Sequence, residues 1–211
     1  MTRTRAVVFD IDGVLIDARD WHYEALNRAL DLLGFTISRF DHLSTYDGLP
    51  TRRKLEMLTI ERGLPSALHG FLNSLKQQYT LQIIHNSCKP VFQHEYALSR
   101  LKADGLQLAV ASNSVRRTVE LMMEQSDLSS YLDVMLSNED IANPKPHPEI
   151  YTLAMDRLRV APAETLVIED NEHGVAAARA SGAHVMVVES PLDVTYDRIV
   201  AQIARIEAMG E

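Results

Sequence analysis

The sequence has very little cysteine and no long hydrophobic run. Cys88 is the only cysteine in 211 residues, so an internal disulfide is excluded. The longest apolar runs, 6–9 and 106–111, have the length of a β-strand and fall short of the roughly 18 residues that a membrane span needs. The N-terminal residues lack the apolar core and small-residue cleavage site of a signal peptide. We therefore expect a soluble, cytoplasmic protein with no membrane partner.

Basic charge is also scarce, since 21 Lys and Arg stand against 29 Asp and Glu, a net charge of −8. This balance argues against nonspecific nucleic-acid binding, and we expect no nucleic-acid partner. Aromatic residues are few, but apolar residues make up 46% of the chain, which is enough for a globular core and excludes disorder. A protein of this charge that handled a phosphorylated substrate would have to counter its own charge locally.

Short apolar runs alternate with helical patterns through most of the chain. The predicted strands are 5–10, 106–111, 133–137, 165–169 and 183–188. The predicted helices are about 90–103, 115–125, 148–158, 174–180 and 193–209. Short β-branched runs bounded by Gly or polar residues are typical of buried parallel strands. The alternation therefore predicts an α/β fold with a doubly wound, mostly parallel sheet.

The segment 17–86 interrupts this alternation with three helical patterns and no convincing strand. The first ends at Gly34, the second runs from about Pro50 to Gly63, and the third begins near Ser66. A glycine directly after a helical pattern is typical of a helix C-terminus. We predict that 17–86 is an inserted, all-helical cap domain and that 1–16 and 87–211 together form the catalytic α/β core.

Two aspartates directly follow the first strand, in the segment Asp10-Ile-Asp12-Gly13. Ligands of open parallel sheets bind beyond the carboxyl ends of the strands. Paired carboxylates at that edge suit a nucleophile, a proton donor and acceptor, or the ligands of a hard cation. Gly13 permits a sharp turn that exposes backbone N–H groups to an anion. The alternative is a pair of turn or helix-capping aspartates.

Small polar residues follow the second core strand. Ser112 and Asn113 offer a hydroxyl and backbone N–H groups that can bind a phosphoryl oxygen. An ordinary helix N-cap is the alternative, and both hold if Ser114 caps the helix while Ser112 binds the ligand.

Charged residues stand in the two loops that follow. Lys145 lies among three prolines in 143–148, where it can neutralise a carboxylate and a phosphate together or remain a solvated surface lysine. Glu169 and Asp170 end the fourth strand and can bind a metal ion, or they can be acids that favour the N-terminus of the next helix.

The order Asp-x-Asp, Ser, Lys and Glu-Asp resembles the haloacid dehalogenase-like (HAD) phosphotransferase superfamily. All four motifs match, and they span nearly the whole chain. The helical insertion after the first motif and the form Glu-Asp-Asn-x-x-Gly at 169–174 resemble the β-phosphoglucomutase-like branch. The resemblance implies a HAD-like Rossmannoid core with an inserted helical cap, and it implies phosphoryl transfer.

The resemblance assigns a role to each motif. Asp10 would be the nucleophile that forms an aspartyl-phosphate, and Asp12 the general acid and then the general base. The cofactor Mg²⁺ would be held by Asp10, the backbone carbonyl of Asp12, and Asp170. Glu169 would be a further ligand or a support behind the ligands. Dehalogenase members lack a carboxylate at the position of Asp12 and use no Mg²⁺, so dehalogenation fits poorly.

The same resemblance places Ser112 and Asn113 on the transferring phosphoryl group. Lys145 would hold both Asp10 and the phosphate in place, as catalytic and phosphate-binding residue. The transition state spreads negative charge over oxygens, so catalysis depends mostly on positioning and on such positive groups.

Two segments of the cap would face the site by analogy. His22 lies ten residues after Asp12, the spacing at which β-phosphoglucomutases carry a cap histidine that steers the acid–base aspartate. The alternative is a partly exposed surface histidine. Trp21 and Tyr46 can stack on a substrate ring or pack inside the cap.

The loop 44–53 departs from the mutase pattern. Mutases place an arginine three residues after the loop glycine to grip a second phosphate, but from Gly48 that position is Thr51, and Arg52 comes next. A shift of one residue turns a helical side chain by about 100°.

We therefore favour a Mg²⁺-dependent phosphohydrolase of a small phosphorylated metabolite, such as a sugar phosphate, that acts as a monomer. A β-phosphoglucomutase-like phosphomutase is the alternative enzyme. A non-catalytic sugar-phosphate binder is a third hypothesis, although a pure binder needs neither a nucleophile nor an acid.

Overall fold

The structure is a computed structural model and describes residues 3–46 and 49–209. The chain divides into two compact units, one formed by the residues up to Asp17 and from Cys88 onward, the other by Ala18–Ser87. We call these the core unit and the helical unit. Their roles as catalytic core and substrate-selecting cap stay predictions. No helix among the described residues is long and apolar enough to cross a membrane.

The helical unit is built on one apolar cluster. Its helices are α1 (Arg19–Asp31), α2 (Arg39–Asp41), α3 (Thr51–Arg62) and α4 (His69–Ser87), with a π-helical turn at His42–Tyr46 and a 3-10 turn at Ser66–Leu68. Apolar side chains at helical spacing, such as Leu26 and Leu30 of α1, pack against Leu58 and Leu72. Helix α3 ends at Gly63 in the left-handed conformation, as the sequence predicts. The helical segment 39–46 is not predicted by the sequence.

The core unit contains one parallel five-stranded sheet. The strands are β1 (Ala6–Phe9), β2 (Gln107–Ala111), β3 (Val134–Leu136), β4 (Thr165–Glu169) and β5 (His184–Val187), in the order β3-β2-β1-β4-β5. All neighbouring strands pair in parallel. The β1 and β4 residues are all buried, as expected for strands covered on both faces. This sheet confirms the predicted fold class.

In the described part of the core unit, five helices precede, connect or follow the strands β2 to β5. They are α5 (Phe92–Ala103), α6 (Arg116–Gln125), α7 (Glu149–Leu158), α8 (Glu172–Ala180) and α9 (Tyr196–Met209). Helix α7 packs one buried face on the sheet, with Ile150, Ala154 and Leu158 in the same cluster as Val8 and Val167. Strand order reverses direction at β1, with β2 on one side and β4 on the other. The sheet therefore brings the loops that follow β1, β2 and β4 to one edge, where ligands of such folds bind.

Candidate active site

The pairing of β1 with β4 brings the two acidic motifs together. Phe9 pairs with Ile168, so the next residues, Asp10 and Glu169, lie side by side at the carboxyl ends of the two strands. The backbone N–H of Asp10 donates to the carbonyl of Ile168 at 3.0 Å, which extends the ladder by one residue. The position of Asp10 is therefore fixed by the sheet itself.

Lys145 lies between these two carboxylates. Its Nζ donates to Asp10 Oδ1 at 2.7 Å, to Glu169 Oε1 at 2.7 Å and to the carbonyl of Ala111 at 2.8 Å. An ammonium group has three protons, so these acceptors use all of them. The side chains of Lys145 and Asp10 are only 3% and 6% exposed, which makes this a buried ion pair and not a solvated surface lysine. A phosphoryl oxygen would have to share or replace one of these acceptors.

Burial and charge act in opposite directions on this pair. Burial raises the pKa of the Asp10 carboxyl well above its usual value, and the Lys145 ammonium opposes that rise. Burial lowers the pKa of Lys145, but the carboxylates of Asp10 and Glu169 outweigh it, so that its pKa lies above its usual value. Lys145 therefore stays protonated, and a second positive charge near Asp10 would favour the ionised carboxylate further.

The carboxylates fit a small hard cation. Carboxylate oxygens of Asp10, Glu169 and Asp170 all lie within 4.8 Å of one another. Asp170 lies directly over Gly13, where an added Cβ would be 2.0 Å from Asp170 Oδ2, and Gly13 has a φ of +88°. The turn after β1 therefore needs glycine both for its backbone conformation and to admit Asp170. This set of hard oxygen donors suits Mg²⁺.

Glu169 accepts hydrogen bonds from four groups, which its predicted role as a metal ligand or support did not include. Its Oε1 accepts from Lys145 and from the hydroxyl of Tyr151, and its Oε2 accepts from the backbone N–H of Asp170 at 3.1 Å and from Asn171 Nδ2 at 3.4 Å. Tyr151 was not among the predicted site residues. Burial first, and then the negative charge of Glu169, raise the pKa of Tyr151 well above its usual value, so it remains a proton donor.

Asp12 and the serines after β2 form a second group. Ser114 Oγ donates to Asp12 Oδ2 at 3.1 Å, and the backbone N–H of Ser114 donates to Ser112 Oγ at 3.0 Å. Ser112 is buried, and its own O–H can donate to an incoming oxygen. Ser114 does not cap a helix, because α6 begins at Arg116 and its N-cap residue is Val115. Its contact with the acid–base candidate is a role that the sequence analysis missed.

The side chain of Asn113 is directed at the Lys145 loop. Its Oδ1 accepts the backbone N–H of Lys145 at 3.2 Å, and its Nδ2 donates to the carbonyl of Lys145 at 3.5 Å. The amide therefore holds the backbone of the lysine loop. Phosphate binding by Asn113, through its backbone N–H, stays a prediction.

Within the helical unit, His22 is paired with a lysine. Nζ of Lys76 lies 3.2 Å from His22 Nδ1, and Lys76 is buried. Lys76 was not predicted, because its position on α4 belongs to the face that buries Leu72 and Thr80, where the helical period predicts packing. Because an ammonium group is rarely buried without a function, Lys76 is a further candidate for the polar contacts of the helical unit.

The other predicted substrate contacts of the helical unit have simpler surroundings. Tyr46 is 1% exposed, lies in the apolar cluster and donates its hydroxyl to Glu61, which favours packing over stacking on a substrate. Trp21 is half-buried. Thr51 is the first residue of α3, and the exposed Arg52 pairs with Glu56 at 3.1 Å on the same helix.

Gly48, from which the mutase spacing is counted, lies outside the described residues. The positions of Thr51 and Arg52 relative to that glycine therefore stay a prediction.

The aspartate–lysine ion pair and the two adjacent acids at the carboxyl edge of a parallel α/β sheet suit an enzyme of phosphoryl transfer. The chain belongs to the haloacid dehalogenase-like hydrolases, since the model of that family matches residues 7–188.

Several relatives of this chain are phosphatases by name. The phosphorylated carbohydrates phosphatase of Thermotoga maritima is 31% identical over 185 residues, which are 84% of this chain and 81% of the relative. Pyrophosphatase PpaX of Bacillus velezensis is 27% identical over 85% of this chain and 81% of its own length. These matches confirm the predicted family and the predicted class of enzyme, a phosphatase or phosphotransferase.

A solved structure confirms the fold independently. β-Phosphoglucomutase from Clostridium difficile superposes with a TM-score of 0.82 at 21% identity, over 97% of this chain and 99% of that protein. At this identity the likeness shows the fold alone.

Proposed function

We propose that this chain is a Mg²⁺-dependent phosphohydrolase that acts on a small phosphorylated metabolite through an aspartyl-phosphate on Asp10. The observation that carries the proposal is the buried contact of 2.7 Å between Lys145 Nζ and Asp10 Oδ1 at the carboxyl end of β1. A carboxylate oriented by an ammonium group is positioned for in-line attack on phosphorus. The same positive charge offsets the negative charge of the transferring group.

The reaction needs two displacements at phosphorus. In the first, an Asp10 oxygen forms a bond to phosphorus, the phosphorus–oxygen bond to the metabolite breaks, and the leaving oxygen takes a proton from Asp12. In the second, water gives a proton to Asp12 and its oxygen bonds to phosphorus, while the bond from phosphorus to Asp10 breaks. Inorganic phosphate is released, and both aspartates return to their starting states. Ser114, which donates to Asp12 Oδ2, orients this acid–base group.

Asp10, Asp170 and the backbone carbonyl of Asp12 would hold the Mg²⁺ ion. When bound, Mg²⁺ supplies positive charge that neutralises the phosphate oxygens and orients them for attack. Ser112, and Asn113 through its backbone, would bind the remaining phosphoryl oxygens. The local positive charge of the ion and Lys145 would offset the acids of the site and admit an anionic substrate.

The substrate proposal is a phosphorylated sugar or a similarly small phosphate ester. It is supported by the 31% identity to a relative named as a phosphatase of phosphorylated carbohydrates. The helical unit, as a cap, would supply contacts to the part of the substrate that does not react, with His22 and Lys76 as its buried polar pair.

The proposal is tested by a phosphatase screen with Mg²⁺ over phosphorylated sugars, nucleotides, pyrophosphate and small phosphorylated acids. We expect steady release of inorganic phosphate from at least one class, and loss of that release in Asp10→Asn, which keeps the size of the side chain but removes the nucleophile. Full activity of Asp10→Asn would reject the nucleophile. Binding of sugar phosphates without any turnover would instead favour the non-catalytic binder.

A phosphomutase is the second candidate, favoured by the position of His22 ten residues after Asp12. It predicts transfer of phosphate between two positions of a hexose and a requirement for a bisphosphate primer. Phosphate release without an isomerised sugar phosphate would exclude it.

A further inference from the structure

Glu169 is saturated with hydrogen-bond donors. Its carboxylate accepts four hydrogen bonds, from Lys145 and Tyr151 on Oε1 and from the N–H of Asp170 and the amide of Asn171 on Oε2. A carboxylate offers about four lone-pair directions, so each has a partner. A metal ion could bind Glu169 only by displacing one of these donors.

The surroundings of Glu169 also fix it in this arrangement. Its side chain is 0% exposed. It packs against the backbone of Gly174 in the first turn of α8, where an added Cβ would lie 1.8 Å from Glu169 Oε1. A change of rotamer would leave donors of the buried network without an acceptor, which is costly away from water.

Tyr151 contacts both Glu169 and the ammonium group of Lys145. It lies in the first turn of α7, where the buried helix face meets the sheet, and is 0% exposed. Its hydroxyl donates to the same Glu169 oxygen that accepts from Lys145, and Lys145 Nζ lies 4.8 Å from the centre of its ring. Tyr151 therefore borders the ammonium group through its ring and bonds to the carboxylate that accepts from it, while the same ammonium group donates to Asp10.

We propose that Tyr151 is a positioning residue for phosphoryl transfer, which acts with Glu169 to hold Lys145 against Asp10, and that Glu169 supports this lysine and does not ligate the metal. The protein ligands of the metal ion are then Asp10, Asp170 and the backbone carbonyl of Asp12. This inference rests on the proposed function, because it assigns Lys145 to a reacting Asp10.

The positioning role is tested with Tyr151→Phe, which keeps the ring and removes only the hydroxyl. With p-nitrophenyl phosphate as the probe and saturating Mg²⁺, we expect kcat to fall by about tenfold or more, because even a small displacement of Lys145 from Asp10 misaligns the reacting groups. We expect KM, and the Kd of Mg²⁺ measured by calorimetry, to stay within about threefold of the parent protein, because no binding group is removed.

Tyr196→Phe is the matched control, since Tyr196 also donates its hydroxyl to a carboxylate of the core unit, that of Asp104 at 2.7 Å. We expect it to keep kcat. A kcat of Tyr151→Phe equal to that of the control would overturn the positioning role, whatever the change in melting temperature. A Kd for Mg²⁺ raised by about tenfold or more would also overturn it, because the hydroxyl would then act on the metal site.

The metal assignment is tested by a crystal structure of the wild-type protein with Mg²⁺ alone. We expect oxygens of Asp10 and Asp170 at about 2.1 Å from the ion, and Glu169 still bonded to Lys145 and Tyr151. A Glu169 oxygen at ligand distance would overturn the assignment. This readout needs no turnover, so it is separate from the proposed function, which fails if Asp10→Asn remains active.

Discussion

Two features of the structure require glycine at position 13. Its φ is positive, and Asp170 occupies the space where a Cβ would lie. Gly13→Ala would place a Cβ 2.0 Å from Asp170 Oδ2, so we expect displacement of Asp170 and a Kd for Mg²⁺ raised by about tenfold or more. Calorimetric titration with Mg²⁺ measures this. Gly105→Ala is the control, because Gly105 has a similar φ of +85° with nothing within 4 Å of the added Cβ.

Both glycine variants should lose about 1–2 kcal/mol of stability from the left-handed backbone, but only Gly13→Ala should lose metal affinity. Equal Mg²⁺ affinity in the two would contradict the placement of Asp170 in the metal site.

Lys145 also affects the stability of the core unit. Lys145→Met would leave Asp10 and Glu169 as neighbouring buried carboxyls with no cation between them, so we expect the free energy of unfolding to fall by about 3–5 kcal/mol and activity to be lost. Urea denaturation measures the stability change.

Lys102→Met is the control for this variant. Lys102 pairs with Asp133 at 2.8 Å, but both side chains are about one-third exposed, so its loss should cost about 1 kcal/mol or less. Similar costs for the two variants would show that burial of the Lys145 pair contributes little.

At the scale of elements, helix α5 is anchored to the segment before α9. His94 Nε2 donates to the carbonyl of Pro191 at 2.8 Å, and Gln93 Nε2 donates to the carbonyl of Leu192 at 3.1 Å. Burial holds the pKa of His94 below its usual value, and the Pro191 carbonyl only partly opposes this. The unfolded chain therefore binds the His94 proton more readily, and folding loses stability as the pH falls below about 6.5.

We expect this loss to be smaller in His94→Gln, which keeps a donor for Pro191 and cannot titrate. Urea unfolding of both proteins without metal at about pH 7.5 and about pH 5.5 measures the difference. An identical pH dependence in the two proteins would show that folding does not shift the pKa of His94.

The helices and strands of the core unit could largely be predicted from the sequence. Their apolar periods are clear, and polar residues or glycines mark where they end. Strand β4 has the predicted bounds Thr165–Glu169, since a β-branched run is followed by two acids. The segment 39–46 could not be predicted as helical, because its pattern carries no sustained apolar period. It begins with a short helix capped by Ser38 and continues as a π-helical turn.

The residues of the site's sequence motifs could be predicted, but the residue that holds them in place, Tyr151, could not. Asp10, Lys145 and Asp170 are polar residues at strand ends, which sequence order reveals. Tyr151 stands beside Ile150 and Ala154 on the apolar face of α7, so the helical period predicts only packing. Its hydroxyl acquires a partner, Glu169, only once α7 packs on the sheet, which is a tertiary contact that no local pattern encodes.

At the scale of the whole molecule, the net charge of −8 does not describe the site. The core unit places Asp10, Glu169 and Asp170 close together, with the buried Lys145 bonded to the first two, so the site holds more acidic than basic groups and a divalent cation can balance them. The overall charge disfavours anionic partners, whereas the site with its cation favours a phosphate. A domain-scale charge balance therefore predicts little about the substrate.

The most direct test of the account is whether Asp10 takes up the phosphoryl group. The protein is mixed with a substrate found in the screen and Mg²⁺, quenched in acid during the first turnover, and digested for mass spectrometry. We expect one phosphoryl group on Asp10 in the wild-type protein and none on the corresponding peptide of Asp10→Asn. Hydrolysis that proceeds with Asp10 unmodified, or at an unchanged rate in Asp10→Asn, would contradict the account.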